Sequence, residues 1–563
     1  MIRFMNYARS MRRLTLDKTA ILAFAIGLFA LARPCAGFAQ EALLSTAENY
    51  YEFLALSGNT ERSYLNYRTL SDSVWTVKDG DGNLWNGVNL GTTRSLSDAV
   101  RFRVYGPDFF SSYNSAEPYG QNDGALWQGK GVNASITAGA RLEAYGFELT
   151  LKPQIAFSQN RSFTLVNPAY SGDLYAGKAD TYGYFGAPNI DAPQRFGDDP
   201  LYTFSWGDSE IRYSWKTLTV GFGTQAIWLG PAKINPILHS NNAAPYPKFD
   251  IGLRKQEIAL AGHDLGDVEA RLWCGYLTES DYFDTDDSND HNMISGLSFA
   301  YAPPVLDGLT LFVNRVYLAK WEKDSFGTIS HLFIINTAGG GAQDVWDQRG
   351  SFGFDYLLPL AAIEVYGEAG INDYEQNIHA YLRYPFHSMV YTAGIVKSVR
   401  LPTSYPLSLE ILFEWSNLEL SQDFQFQWAS TFYAHHQITQ GYTNEGQWLG
   451  AGNGTGGNSQ YLGFKLYYPR GYTNLFIHRQ NPDNDHIYVS SIHTDANTSV
   501  NIKDVKGVVS FGVNSGYQVW KNTFLSAGAT WIIIENPVYE GKQFEPTDRL
   551  CGYRLETAFS WQY

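Results

Sequence analysis

The sequence predicts an all-β transmembrane protein: a closed antiparallel barrel of the outer-membrane type with about 16 to 20 strands, 18 favoured, preceded by a small N-terminal helical element. Three observations predict it. From Tyr553 to Tyr563, residues Tyr553, Leu555, Phe559, Trp561 and Tyr563 share one parity, and Arg554, Glu556, Ala558, Ser560 and Gln562 share the other. Successive strand side chains point to opposite faces, so this segment has one apolar and one polar face. An open amphipathic edge invites aggregation in water, and closing a barrel in lipid removes the edge. The same alternation recurs along the chain. Lastly, no apolar stretch after residue 39 is long enough for a spanning helix. Aromatics nevertheless make up 15% of the residues, a composition that interfacial belts of Tyr and Trp would use.

Residues 1–39 read as a secretory signal peptide. Arg12, Arg13 and Lys18 precede an apolar run from Ala20 to Ala32, and Gly37-Phe38-Ala39 ends in a small-residue cleavage site. Cys35 follows Arg33-Pro34, where small residues should precede a lipidated Cys, so a lipoprotein ranks second. Cleavage leaves 35 basic and 55 acidic residues, a net charge of −20. A chain so acidic is ill suited to nucleic acid, and no nucleic-acid partner is expected.

Residues 40–98 form a helical segment at the periplasmic mouth or a plug in the lumen. Ala47 to Leu56 carries apolar positions at helical spacing, and Gly58 stops it. Arg62 to Leu70 is expected to add a further helical turn or two. Asp79-Gly80-Asp81-Gly82-Asn83 resembles half of a calcium loop but lacks the completing Glu, and reads as a turn.

Residues 99–563 carry the barrel. Val100, Phe102 and Val104 face lipid while Arg101 and Arg103 face inward. The segments Ile363 to Ala369, Leu409 to Trp415 and Lys506 to Trp520 alternate in the same way, and they place Glu364, Glu368, Glu410 and Glu414 on the inner wall. Short connections such as Pro303 to Gly308 contrast with long polar ones at 106–131, 167–200, 279–292 and 441–459. Outer-membrane barrels pair short periplasmic turns with long extracellular loops. The stretch Gly450 to Gly457 reads as a flexible loop.

Several clusters are weighed for chemistry. The inward carboxylates suggest a glycosidase pair, but charged lumen networks are commoner, and no enzyme is expected. The acidic loop Asp281 to Asp290 lacks EF-hand spacing, and a solvated loop is favoured over a cation site. His435 and His436 fall on opposite faces if they lie in a strand, and both then cannot ligate one metal. Cys274 and Cys551 suggest neither a metal nor a redox pair. No metal or cofactor is expected.

Two stretches carry identity. One is Val220 to Pro231, with Trp228-Leu229-Gly230-Pro231, followed by His239-Ser240-Asn241-Asn242-Ala243. The other is Phe432 to His436 followed by Gly441-Tyr442-Thr443-Asn444-Glu445-Gly446-Gln447-Trp448-Leu449-Gly450. With the Glu364-to-Glu368 pattern and Tyr67 to Ser71, their order resembles the capsule-assembly Wzi family; Leu229 stands where a second Trp is common. The final strand likewise resembles those that the barrel-assembly machinery reads.

The resemblance implies an outer-membrane lectin, closed to free diffusion, that binds and anchors capsular or related surface polysaccharide during capsule or exopolysaccharide assembly. A substrate-selective porin is the alternative, since inward charges suit either. Long-loop aromatics, among them Tyr113, Tyr119, Trp127, Tyr170, Tyr175, Tyr182, Tyr184 and Phe185, sit among Asn, Asp and Gln, the residue types that recognise sugars. A polymer reaches exposed loops more easily than a plugged lumen. The sugar contacts are therefore assigned to Tyr175, Tyr182, Tyr184 and Tyr442. Trp228, Gly230, Pro231, Ser240, Asn241 and Asn242, with the wall residues Glu364, Glu368 and Glu414, are assigned to lumen architecture ahead of ligand contact.

Overall fold

The computed structural model describes residues 46–563 apart from 69–74, 76, 79–81, 92, 168–178, 285, 334–345, 373–377, 422, 424–429, 487–503 and 541–547. The signal peptide, the half calcium loop and Tyr175 lie wholly or partly outside the described residues.

The wall is an antiparallel barrel of 18 strands. In chain order these are β1 (Val100–Asn114), β2 (Gly131–Ala144), β3 (Phe147–Leu151 continued by Gln154–Ser158), β4 (Leu201–Ser205 continued by Glu210–Trp215), β5 (Leu218–Gly223) and β6 (Lys248–Leu260). Next come β7 (His263–Thr278), β8 (His291–Ala302), β9 (Leu309–Lys320), β10 (Trp346–Leu358), β11 (Ile363–Asn372) and β12 (Met389–Arg400). The last are β13 (Ser408–Asn417), β14 (Asn458–Tyr468), β15 (Gly471–Asn481), β16 (Gly507–Trp520), β17 (Thr523–Glu535) and β18 (Arg549–Gln562). Both halves of β3 pair with β2 on one side and with the two halves of β4 on the other. Closure joins β18 to β1, with Phe559 opposite Phe109 and Leu555 opposite Tyr113.

The alternation sets the solvent. Outward positions such as Ile136, Leu149, Phe222, Phe354, Phe413, Ile477, Trp531 and Leu555 are exposed. Inward positions such as Arg212, Asp250, Arg271, Ser298, Asn314 and Glu364 are buried. A soluble domain has the reverse arrangement, so hydrocarbon is the medium this wall fits. Inside, polar groups are paired: Arg212 meets Asp250 at 2.7 Å and Arg271 meets it at 2.5 Å.

Helix α1 (Thr46–Leu56) packs at the end of the barrel that carries the short turns. Its Tyr50, Phe53 and Leu54 bury against Trp85, Tyr467 and Phe524, the last two beside the turns after β14 and before β17. Gly58 ends the helix at φ +69°. Gly58 N–H donates to Ala55 and Asn59 N–H to Leu54, both at 3.0 Å, the paired bonds of a Schellman cap. The second helical turn expected over Arg62 to Leu70 is not found in its described part. Leu65, Asn66 and Tyr67 instead donate three successive N–H groups to the Glu269 carboxylate at 2.9, 3.1 and 2.6 Å. Satisfying three backbone donors from the wall removes the incentive to coil. Tyr67–Arg68 then pairs antiparallel with Trp228–Leu229.

Candidate functional site

The lumen is filled by its own connections. Residues 224–247, between β5 and β6, fold inward and meet residues 430–457, between β13 and β14. Their shared core holds Ile227, Leu229, Ile237, Leu238, Tyr433, Tyr442, Leu449 and Ala451, and it packs against Trp273, Leu277, Ile294, Val316, Leu318 and Val390 on the wall. Together these make a plug.

The residues assigned to lumen architecture all lie in or against this plug. The Trp228 indole donates to Ala232 O at 3.1 Å, under the Arg68 guanidinium. Gly230 adopts φ +86°, a backbone conformation that strains any side chain, beside the Glu368 carboxylate. Ser240 Oγ donates to Gly450 O at 2.6 Å. Asn242 Nδ2 donates to Trp448 O at 3.1 Å, its Oδ1 accepts from Asn122 N–H at 3.1 Å, and Asn241 O accepts from Gly124 N–H at 2.7 Å.

The wall carboxylates hold the plug. Glu414 accepts N–H bonds from Lys233 (2.6 Å), Ile234 (3.1 Å) and Asn235 (2.7 Å) and the Tyr366 hydroxyl at 2.6 Å. Glu364 pairs with Arg62 at 2.7 Å and Lys233 at 2.9 Å. Arg62 also meets Glu52 of α1 at 2.9 Å and Asp355 of β10 at 2.6 Å, so helix, plug and wall share one ion network. Burial pushes the Glu52 carboxyl up, but the Arg62, Lys233 and Arg68 charges and the Tyr64 hydroxyl outweigh it and hold the group at about 2. Carboxylates occupied in this way anchor the plug to the wall.

Against β14–β18 the plug leaves a cavity of 670 Å³. The connections 115–130, 159–200 and 418–457, at the long-loop end, supply much of its lining. Aromatic rings come from the connections (Tyr119, Trp127, Tyr184 and Trp448) and from the wall (Tyr461 and Phe476). Polar groups stand between the rings. Among the described residues, Trp127 Nε1, Gln128 Nε2, Asp123 Oδ2 and both polar atoms of Asn453 are buried without a hydrogen-bond partner. Native proteins satisfy nearly all such groups, and each unsatisfied one costs about 1–3 kcal/mol.

The predicted loop residues divide. Tyr184 lines the cavity, but its ring is 7% exposed and its hydroxyl donates to Asp483 at 2.5 Å. Tyr442 is fully buried, stacked on His239 and Tyr433, so it offers no ring face to a polymer. Both were expected to be exposed. The difference arises because their connections fold into the barrel, where apolar burial keeps them. Tyr182 packs edge-on against Tyr282 and is half-buried, away from the cavity. Of the other aromatics noted in the long loops, Tyr119, Trp127 and Phe185 do line it. Asp123, Gln128, Asn453 and the inward Tyr461 and Phe476 were missed; strand parity was the available signal for the last two.

The glycine-rich stretch Gly450 to Gly457 is packed rather than flexible. A Cβ at Gly450 would lie 2.1 Å from Ile237 O, and Thr455 is fully buried. His435 and His436 occupy a turn rather than a strand; His435 Nδ1 accepts from Ile438 N–H at 3.1 Å. In the acidic loop, Asp286 accepts from Ser288 N–H and Oγ, closing a local turn. Cys274 and Cys551 are free, on β7 and β18.

A closed wall with an apolar outer face, a polar lumen and an inserted plug defines an outer-membrane β-barrel with a cavity beside its plug. Residues 110–546 match the model of the capsule assembly protein Wzi family, and the chain belongs to that family. The structure is similar to Wzi of Escherichia coli, an outer-membrane protein involved in group 1 capsule assembly and a carbohydrate-binding β-barrel, with a TM-score of 0.58 and 12% identity over 94% of this chain and 100% of the other. OccK2 of Pseudomonas aeruginosa (TM-score 0.37, 9% identity, 83% of this chain and 99% of the other) and OccAB1 of Acinetobacter baumannii (0.36, 9%, 84% and 99%) are less similar. No curated protein matches the chain by sequence.

Proposed function

We propose that this protein is an outer-membrane lectin that binds and anchors capsular or related surface polysaccharide and takes part in capsule or exopolysaccharide assembly. The observation that carries the reading is the cavity between plug and wall, where the partly exposed amides of Gln121, Gln447, Gln480 and Asn514 stand beside aromatic rings. Pyranoses offer apolar C–H faces to rings and hydroxyls to amides, and Asn and Gln both donate and accept. Each such contact is worth only about 1 kcal/mol, so firm retention comes from several repeats or several molecules engaging one polymer.

In this reading the long connections face the outside and α1 faces the periplasm. The barrel-assembly machinery inserts the chain, and outer-membrane lipid surrounds it. The protein acts in this reading as a binding protein rather than an enzyme, which the use of Glu364 and Glu414 as plug anchors supports. The porin alternative requires a continuous aqueous path, and the plug core packed on β7–β12 argues against one.

The test compares cells that lack the protein with cells that express it, measuring polysaccharide retained at the surface against polysaccharide shed. Retention that depends on the protein, together with small or absent conductance steps from purified protein in planar bilayers, is the expected outcome. Large stable open steps with unchanged retention would favour the porin.

A further inference from the structure

A second cavity opens at the short-turn end of the barrel, and no plug residue lines it. It measures 530 Å³ and lies between α1, the segment Val88 to Arg94 and the turn from β16 to β17. Two cations line it, Arg94 and Lys521, and both side chains are exposed. No Asp or Glu side chain stands in the described lining, in a chain of net charge −15. Among the described residues neither cation forms an ion pair. With the main-chain carboxylate of Tyr563 counted, one positive charge remains in excess.

The backbone sets Arg94 on the membrane side. The short strand Arg94–Ser97 pairs antiparallel with the start of β1, and Arg94 lies opposite Phe102. Residues opposite each other in such a pair share a face, and Phe102 shares its parity with Val100 and Val104, the lipid-facing side of β1. The Arg94 guanidinium lies 4.0 Å from the ring centroid of Tyr563, the residue after β18. Lys521 directly follows Trp520, which is 67% exposed at the end of β16. Trp and Tyr gather at headgroup level, so rings and cations together place the mouth of the cavity at the membrane interface. A cation on the lipid face is costly at mid-depth and far less so there.

We propose that this cavity binds the headgroup of an anionic phospholipid, with Arg94 and Lys521 drawing in the phosphate and the Tyr563 ring holding the guanidinium in place. The proposal goes beyond the lectin reading and does not depend on it. At 530 Å³ the cavity falls within the range of about 300–1,000 Å³ typical of small-ligand sites, enough for a glycerophosphate head. Val88 and Leu90, both half-buried, give it an apolar strip that suits the glycerol backbone and the first methylenes. With the short turns on the periplasmic side, as proposed above, the lipid belongs to the inner leaflet.

The lining also sets the headgroup charge. A zwitterionic phospholipid brings an ammonium, and no described carboxylate side chain in the cavity pairs with it. An anionic head brings phosphate without that burden, and each Lys or Arg near the surface strengthens its binding roughly fivefold. A soluble acidic sugar or peptide would meet the same cations but has no acyl chain to lie against the exposed Trp520 and Leu96.

The experiment titrates the full-length folded barrel in detergent with phosphatidylglycerol, phosphatidylethanolamine or glycerol 3-phosphate and counts bound molecules by native mass spectrometry. Wild type is compared with Arg94→Gln, Lys521→Gln and the double variant, each checked for folding by heat-modifiable gel migration. Lys216→Gln is the control: Lys216 stands at the same end of the barrel, 5.2 Å from the Trp215 ring, but outside the cavity. The expected result is one tightly held phosphatidylglycerol on wild type, with phosphatidylethanolamine roughly tenfold weaker. Each cavity variant should lose phosphatidylglycerol roughly fivefold and the double variant roughly 25-fold, while Lys216→Gln binds as wild type does. Equal binding of the two lipids by wild type would overturn the charge selection, and that comparison needs no variant to fold. A loss in Lys216→Gln as large as in Lys521→Gln would show a general attraction of the rim in place of a site. Glycerol 3-phosphate bound as tightly as phosphatidylglycerol would make the ligand a soluble phosphate and overturn the lipid assignment.

Discussion

Asn235 and Glu414 lie 179 positions apart in sequence, yet the backbone N–H of Asn235 donates to the Glu414 carboxylate at 2.7 Å. With the N–H groups of Lys233 and Ile234 on the same carboxylate, one wall residue fixes a whole turn of the plug. Removing it would strand three backbone donors and the Tyr366 hydroxyl, each at about 1–3 kcal/mol. Glu414→Ala is therefore expected to loosen the plug while the wall, held by strand pairing, still closes. Planar-bilayer recordings should show larger or more frequent conductance steps than wild type, with heat-modifiable migration retained. Glu414→Gln keeps one acceptor oxygen and should leak less. Identical traces from all three proteins would contradict the anchoring role.

Gly450 offers a second handle on the plug. Its missing Cβ leaves room for Ile237 O, 2.1 Å from where that carbon would sit, with the Tyr433 hydroxyl also close. Backbone cannot yield as a flexible side chain can, so Gly450→Ala should lower the temperature at which the folded gel band converts to the unfolded one. Gly327→Ala provides the control, because open space surrounds the position where its Cβ would lie. Equal melting of both variants would show that the glycine-rich stretch does not depend on this close approach.

Much of this was legible in the sequence, for a stated physical reason. A strand forces parity, and a lipid-facing wall forces apolar residues onto one parity; hence Glu364, Glu368 and Glu414 could be placed on the inner face before any coordinates. The positions of Tyr184 and Tyr442 were not legible. A connection that folds into a barrel and one that spreads over its rim share the same mixture of Tyr, Asn and Gly, since both pack aromatics and satisfy backbone polar groups. What distinguishes them is the partner, such as Asp483 for Tyr184, and that partner lies 299 positions away. The same holds for Arg62 to Leu70: the local pattern allows a helix, but Glu269, more than 200 positions on, takes its N–H groups.

His239 sets a pH dependence. Burial lowers its pKa to about 3, with backbone bonding to Leu238 and Leu449 opposing and the Lys248 charge assisting. In the unfolded chain an ordinary His titrates near 6.5. The folded state thus binds fewer protons between these values, and stability is lost as pH falls from about 6.5 towards 3. Denaturation midpoints for wild type and His239→Gln, measured from pH 8 to pH 4, should converge at low pH if wild type is the more stable near neutrality. A constant gap across the range would mean that His239 does not titrate with unfolding. Taking the difference between the two proteins cancels other buried groups such as Asp191, whose pKa is raised to about 7 chiefly by burial and which acts in the opposite direction.

The last prediction separates recognition from architecture. Trp127 lines the cavity with its indole nitrogen unpartnered, whereas Trp228 lies 2% exposed inside the plug with its nitrogen bonded to Ala232. Trp127→Ala removes a ring face from the cleft. Ring contacts are worth about 0.5–1.5 kcal/mol each, so a single truncation should weaken capture of an oligosaccharide by roughly two- to tenfold. Over a long polymer the loss in surface retention should be larger, since repeated engagement multiplies it. Melting and conductance should stay near wild type. Trp228→Ala deletes a fully enclosed ring from a packed core, a change that typically costs about 3–5 kcal/mol. It should lower the melting temperature or open a leak, and reduce capture only as the plug deforms. Tyr182→Ala, away from the cavity, should alter neither strongly. If Trp228→Ala abolished capture in a stable, closed barrel while Trp127→Ala left it intact, the binding surface would lie within the plug and the cleft against β14–β18 would be a packing defect.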